Sequence, residues 1–197
     1  MSFALPTTPK ARHHTWEYVT KAVDTDPPLG GASQRLSRLG DRFAITIHLM
    51  TMDYECAMAW LADRVKATVE TVTYPVPQRG FDPTSPGTIL VNGASQAGTT
   101  LNADGVTPGY VFRKGRFFSF TMNGRIYLHM MSAEATANGS GQVALPIMPM
   151  LRVSPSDNLA LNFTAPRIEG FIEGTVAQWE AEFDWARGGS FTIKEAE

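Results

Sequence analysis

The sequence predicts a mainly β protein: a β-sandwich or barrel with one α-helix, interrupted by a small inserted β-barrel. Three observations predict it. Through residues 84–152, strand-like runs alternate with turn signals, and Asn92-Gly93, Asp104-Gly105, Asn123-Gly124 and Asn138-Gly139 are dipeptides that accept the positive φ angles of tight hairpins. Residues 52–66 alone repeat apolar side chains at three- and four-residue spacing, the period of an amphipathic helix. Residues 175–186 alternate strictly, with Ala177, Trp179, Ala181, Phe183 and Trp185 on one side and Gln178, Glu180, Glu182 and Asp184 on the other.

Taken in order, residues 1–14 are rich in Pro, Thr and basic side chains and read as an arm. Residues 15–23 (Trp16, Tyr18, Val19, Val23) read as a strand, and Pro27, Pro28, Gly30 and Gly31 as a loop. Residues 34–39, a Gly40-Asp41 turn and residues 43–50 follow; in the last of these Phe43, Ile45, Ile47 and Leu49 share one face. Thr51 is placed to cap the helix, with Asp53 and Glu55 favourably set in its first turns. Tyr54, Ala57, Met58, Leu61 and Val65 form its apolar stripe, and Trp60 lies one position off it. The β-branched run 68–73 leaves the helix as a strand and stops at Pro75 and Pro77. A breaker-rich linker over residues 75–87 opens the hairpin-rich middle, and Ser154-Pro155-Ser156-Asp157 and Ala165-Pro166 close it. Strands over 167–172, 175–186 and 191–194 complete the chain. The division is therefore an outer module of residues 1–80 plus 166–197, containing the helix 52–66, and an insert of residues 82–165.

Composition narrows the function classes. At 197 residues and 43% hydrophobic content the chain is globular and long enough to bury a core. No apolar run approaches the roughly 20 residues that span a bilayer, so no membrane anchor is expected. The first residues lack the basic-then-apolar order of a signal peptide. A formal charge of −2 argues against a duplex-binding surface, which needs clustered Lys and Arg. One cysteine, Cys56, excludes an internal disulfide and fits a reducing cytoplasm.

No catalytic, cofactor or metal constellation emerges. Cys56 sits near the start of the helix, where a dipole lowers a thiol pKa, but Asp53 and Glu55 oppose thiolate formation. This excludes a Cys-His peptidase with His48 or His129 as base. His13-His14 lacks a third ligand at metal-binding spacing. Arg113, Lys114 and Arg116 beside Phe117, Phe118 and Phe120 suggest an oligonucleotide-binding face, but a charged turn and a barrel core explain the same residues. The acidic row Glu180, Glu182 and Asp184 reads as the solvated face of a strand or as a lumen surface that repels DNA. Trp16, Trp60 and Trp179 are the candidate subunit-interface anchors, because large aromatics concentrate binding energy.

The order of elements resembles the distal tail proteins of long-tailed bacteriophages. It is carried over residues 31–170 by Gly40-Asp41-Arg42-Phe43, the Met50-Thr51-Met52 corner, Val91-Asn92-Gly93-Ala94, Gly98-Thr99-Thr100-Leu101, Lys114-Gly115-Arg116-Phe117, Arg125-Ile126-Tyr127 and residues 141–152 with Pro146 and Pro149. The resemblance implies a virion protein of the tail tip, assembled in the host bacterial cytoplasm. It implies a homohexameric ring that joins the tail tube protein to the hub and tape measure proteins. DNA would cross the lumen without specific binding, and an OB-like insert would face outward. No catalytic residue transfers. The large C-terminal carbohydrate-binding-like domain that many members carry is not in this sequence. The alternative expectations are another minor tail or tail-completion protein, or a β-barrel module binding host saccharide or single-stranded nucleic acid. Aromatics exposed over a groove in the insert would favour the binding module.

Overall fold

The computed structural model describes residues 2–26, 30–36, 38–80, 86–174, 180–181, 185–187 and 189–196. The architecture is mainly β with one helix. In chain order, the outer module supplies β1 (Phe3–Ala4), β2 (His13–Val19), β3 (Val23–Thr25), β4 (Gln34–Leu36), β5 (Arg42–His48), β6 (Thr51–Asp53), α1 (Tyr54–Lys66) and β7 (Val72–Pro75). The middle supplies β8 (Gly87–Val91), β9 (Gly98–Val106), β10 (Val111–Phe112), β11 (Phe117–Met122), β12 (Arg125–Met131), β13 (Ala135–Thr136) and β14 (Val143–Leu151). The chain closes with β15 (Arg167–Glu173), β16 (Glu180–Ala181), β17 (Trp185–Arg187) and β18 (Ser190–Glu195).

Two sheets dominate. The outer one runs β1-β7-β15-β18-β5-β2, and the middle one β11-β12-β14-β9-β8. Strand β5 lies between β18 and the edge strand β2; Phe43, Ile45 and Ile47 all point into the core, as the alternation predicts, while Ala44 on its other face is small enough to be buried too. The described residues 2–14 are not a free arm. Phe3 and Ala4 pair with Val72 and Thr73, Leu5 is buried, and His13 and His14 lie in β2. The strand expected over 68–73 begins later, at Val72, because residues 67–70 turn out of the helix.

Asp53, not Thr51, caps α1: its carboxylate accepts the Cys56 backbone N–H at 3.1 Å, while Thr51 belongs to β6. Residues 175–186 are not one continuous strand. Glu180 pairs with Arg187 and Ala181 with Ala186, so β16 and β17 form an antiparallel pair that continues onto β6. Of the four Asn/Asp-Gly signals, Asn123-Gly124 makes the expected hairpin turn, with both residues at positive φ between β11 and β12. Asp104-Gly105 instead lies inside β9, where a side chain at Gly105 would strike the Thr88 carbonyl. Asn138 organises its turn through its side chain, which accepts the N–H groups of Ser140 and Gln142 at 2.9 Å.

Two hydrophobic clusters meet at the β11–β12 hairpin. Phe118, Phe120, Tyr127 and Met131 enter the middle cluster, while Leu128, with Phe117 and Met130 beside it, joins the outer one. The two-residue side-chain period explains how one hairpin serves two cores. Polar groups seal the seam. β12 meets β14 only at Met130 and Met131, so earlier N–H groups need other acceptors. Glu169 accepts the Ile126 N–H and Glu195 the Leu128 N–H, each at 2.9 Å. Glu195 is 1% exposed, also accepts the Phe43 N–H and forms an ion pair with Arg152. Burial pushes its carboxyl above the ordinary glutamate range, while Arg152 and the two N–H groups pull it back. Gly170 between these strands is required by close approach, since a side chain there would meet the Lys194 carbonyl.

Candidate assembly surfaces

Helix α1 carries two apolar faces, and the chain covers only one. At about 100° per residue, Ala57, Trp60 and Arg64 cluster within about 60°, and so do Tyr54, Met58, Leu61 and Val65, on a neighbouring sector. The first set is buried. In the second, Tyr54, Met58 and Val65 are exposed and Leu61 is half-buried; Val69 just beyond the helix is 79% exposed. The expected stripe therefore exists, but except for Ala57 it faces away from the core. Trp60 corrects the interface assignment: it is 1% exposed, its ring sits by Phe191 and its indole N–H donates to the Thr8 carbonyl at 3.3 Å. A side chain spent inside the protomer cannot anchor a neighbour. The missed signal was the second helical spacing, Ala57-Trp60-Arg64, in which arginine hides over the Phe191 ring.

The β3–β4 pair is a second bare surface. Its strands pair with each other as a separate two-stranded ribbon, and every residue in both is exposed. Val23 and Leu36 carry exposed apolar side chains on its strands, and Leu39 is exposed in the turn before Asp41. Asp41 fixes the root by accepting from the Tyr18 and Thr20 hydroxyls and from the Lys21 N–H at 2.9, 3.1 and 2.6 Å. Those bonds hold the Asp41 carboxyl below its usual range against the opposing effect of burial, which is the largest single influence.

Trp16 is half-buried and stacks on Phe117 at 4.7 Å between ring centres, an internal contact between the outer sheet and the β11–β12 hairpin. Trp179, Glu182 and Asp184 lie outside the described residues; of Glu180 only the backbone is described, in β16.

The polar candidates resolve into packing. The Cys56 thiol is raised by its hydrogen bond to Asp53, by burial and by the Asp53 and Glu55 charges, as the flanking acids require. His13 stacks on His48 at 3.9 Å across β2 and β5, whereas His14 turns to the Tyr74 hydroxyl at 3.0 Å. Among the described residues no group of three His, Cys, Asp or Glu is set to hold a metal. Within the described residues no helix is long and apolar enough to cross a membrane.

Arg116 is not part of an exposed turn cluster. It is 4% exposed, donates to the Tyr110 hydroxyl and lies over the Tyr110 and Phe163 rings. Phe112, Phe118, Phe120, Tyr127 and Phe163 are all buried. The shallow hollow lined by Asn92, Asn102, Asn138 and Gln142 offers amides but no aromatic ring. Tyr110 and Phe117 are half-buried, so no described aromatic ring of the insert is fully exposed as a stacking platform would require.

No protein-family model matches the chain, and no curated protein matches it.

Proposed function

We propose that this chain is a structural subunit of a ring at the distal end of a long bacteriophage tail. It would pack against copies of itself, catalyse no reaction, and leave a lumen through which DNA passes without specific binding. The tail tube protein would meet one face of the ring, and the hub and tape measure proteins the other. The observation that carries the reading is the uncovered apolar face of α1, Tyr54-Met58-Val65, on a module whose own core is already filled by Ala57 and Trp60. Aligned exposed apolar side chains mark macromolecular contact, unlike single scattered ones. Buried aromatics in the insert support assembly over ligand binding. The order of elements, with its barrel-like middle between β7 and β15, supports a tail-tip subunit.

Purified chain examined by negative-stain microscopy and light scattering tests this. The expected result is a closed ring of mass near six times 21.5 kDa. Open filaments or a species that never closes would contradict the ring.

A further inference from the structure

We propose that His13 and His48 form a binding site for one late first-row divalent metal ion, with Cu2+ held tightest, on the solvent side of the outer sheet. The two residues stand directly opposite each other on the antiparallel strands β2 and β5. Side chains so placed have Cβ atoms about 5 Å apart on one face of the sheet. Their imidazole rings already lie together, with centres 3.9 Å apart and planes within 15°. Paired imidazoles are donors that Cu2+, Ni2+ and Zn2+ accept, at metal–nitrogen distances of about 2.0–2.1 Å, and Cu2+ heads the affinity order.

The nitrogens are free for this role. Among the described residues neither ring nitrogen of His13 has a hydrogen-bond partner, and the ring of His48 has one contact, 3.4 Å between Nε2 and the Thr15 hydroxyl. Burial, His13 and Arg12 all lower the His48 pKa, which keeps its ring in the neutral, metal-binding form. Rotation about χ2, a soft torsion for histidine, turns the stacked rings until their lone pairs converge. The strands supply rigidity: β5 is buried along most of its length and is paired on both sides, by β18 and β2. His14 points to the opposite face and bonds to the Tyr74 hydroxyl at 3.0 Å, so it is not a third ligand. Two protein donors leave the other positions to water, which makes the site exchangeable and not a structural centre. Arg12 is near enough to act on His48, and its charge opposes the metal ion's. The site needs no neighbouring copy, so it stands or falls apart from the ring reading.

Calorimetric titration of the purified chain with CuCl2 and with ZnCl2 tests the site. One ion per chain is expected. His13→Gln and His48→Gln should each weaken Cu2+ uptake by more than the about tenfold loss that removing even an outer-shell partner causes. His14→Gln should leave uptake within about twofold, because its ring lies on the other face. Arg12→Gln should strengthen uptake by about twofold or more, since it removes a like charge. In NMR spectra Zn2+ should shift the ring-proton signals of His13 and His48 and leave those of the buried His129 in place. Circular dichroism checks folding; should His48→Gln disturb β5, the exposed His13→Gln decides alone. Uptake that survives both substitutions, or none at metal concentrations up to about 1 mM, overturns the inference.

Discussion

In the insert, Phe112, Phe118, Phe120, Leu145 and Ile147 are buried, and the large apolar side chains left exposed are Val111 and Met148. In the outer module Tyr18, Val23, Leu36, Leu39, Met50, Tyr54, Met58, Val65, Val69 and Phe171 are all exposed, although its own core is closed around Ile45, Trp60 and Ile193. The difference separates two uses of apolar surface. One region spends it on its own stability, and the other leaves part of it in solvent, free for the contact proposed above. The same helix shows both uses a quarter-turn apart.

The contrast can be broken at the insert first. Phe118→Ala removes a fully buried ring stacked on Phe163 at 4.6 Å and should cost about 4 kcal/mol in denaturant unfolding. A cost below about 1 kcal/mol would mean the insert is not the finished half. Next, Glu195→Ala strips Arg152 of its carboxylate and leaves the Leu128 N–H bare at the seam. A loss of about 3 kcal/mol is expected, and peptide-resolved hydrogen exchange should show it at β12 and β5 together.

Acid sharpens the same contrast. His129 is wholly buried between the Phe118 and Phe120 rings, and burial lowers its pKa to about 4 despite its bond to the Pro149 carbonyl. The unfolded chain takes up the proton near 6.5 and the folded one does not. Stability is therefore present above 6.5 and lost as pH falls toward 4, by about 3 kcal/mol. His129→Phe should remove that part of the slope between pH 6.5 and 4.5, and an unchanged slope would assign it to other groups. Smaller still, Asp53→Ala deletes the α1 cap and should cost about 1 kcal/mol. Met58→Ala, on the bare stripe, should move the stability of the free protomer by less than about 0.5 kcal/mol while weakening assembly.

Much of this was legible from sequence where periodicity is local. The alternation Phe43-Ile45-Ile47 placed β5, the helical spacing placed α1 within two residues, and Asn123-Gly124 placed one hairpin. What periodicity could not assign was which apolar face the core takes. Ala57, Trp60 and Arg64 win α1 because an indole fills more core volume than Met58 or Val65, and because Arg64 can lay its guanidinium on Phe191. Arg116 was misplaced for a related reason: a charge next to a glycine turn looks solvated until Tyr110 and Phe163 are seen to enclose it. Residues 175–186 alternate over a span where the chain actually pairs with itself, since alternation is equally compatible with one strand or two. The ribbon and the helix face became visible only when exposure could be read.

Hydrogen exchange of the whole chain at low and high protein concentration tests the central claim most directly. The account predicts that peptides from β9, β11, β12 and β14 are protected equally at both concentrations, while those from β3, β4 and the exposed side of α1 gain protection as concentration rises. Protection in β3, β4 and α1 that does not change with concentration, in a protein that nevertheless assembles, would contradict it.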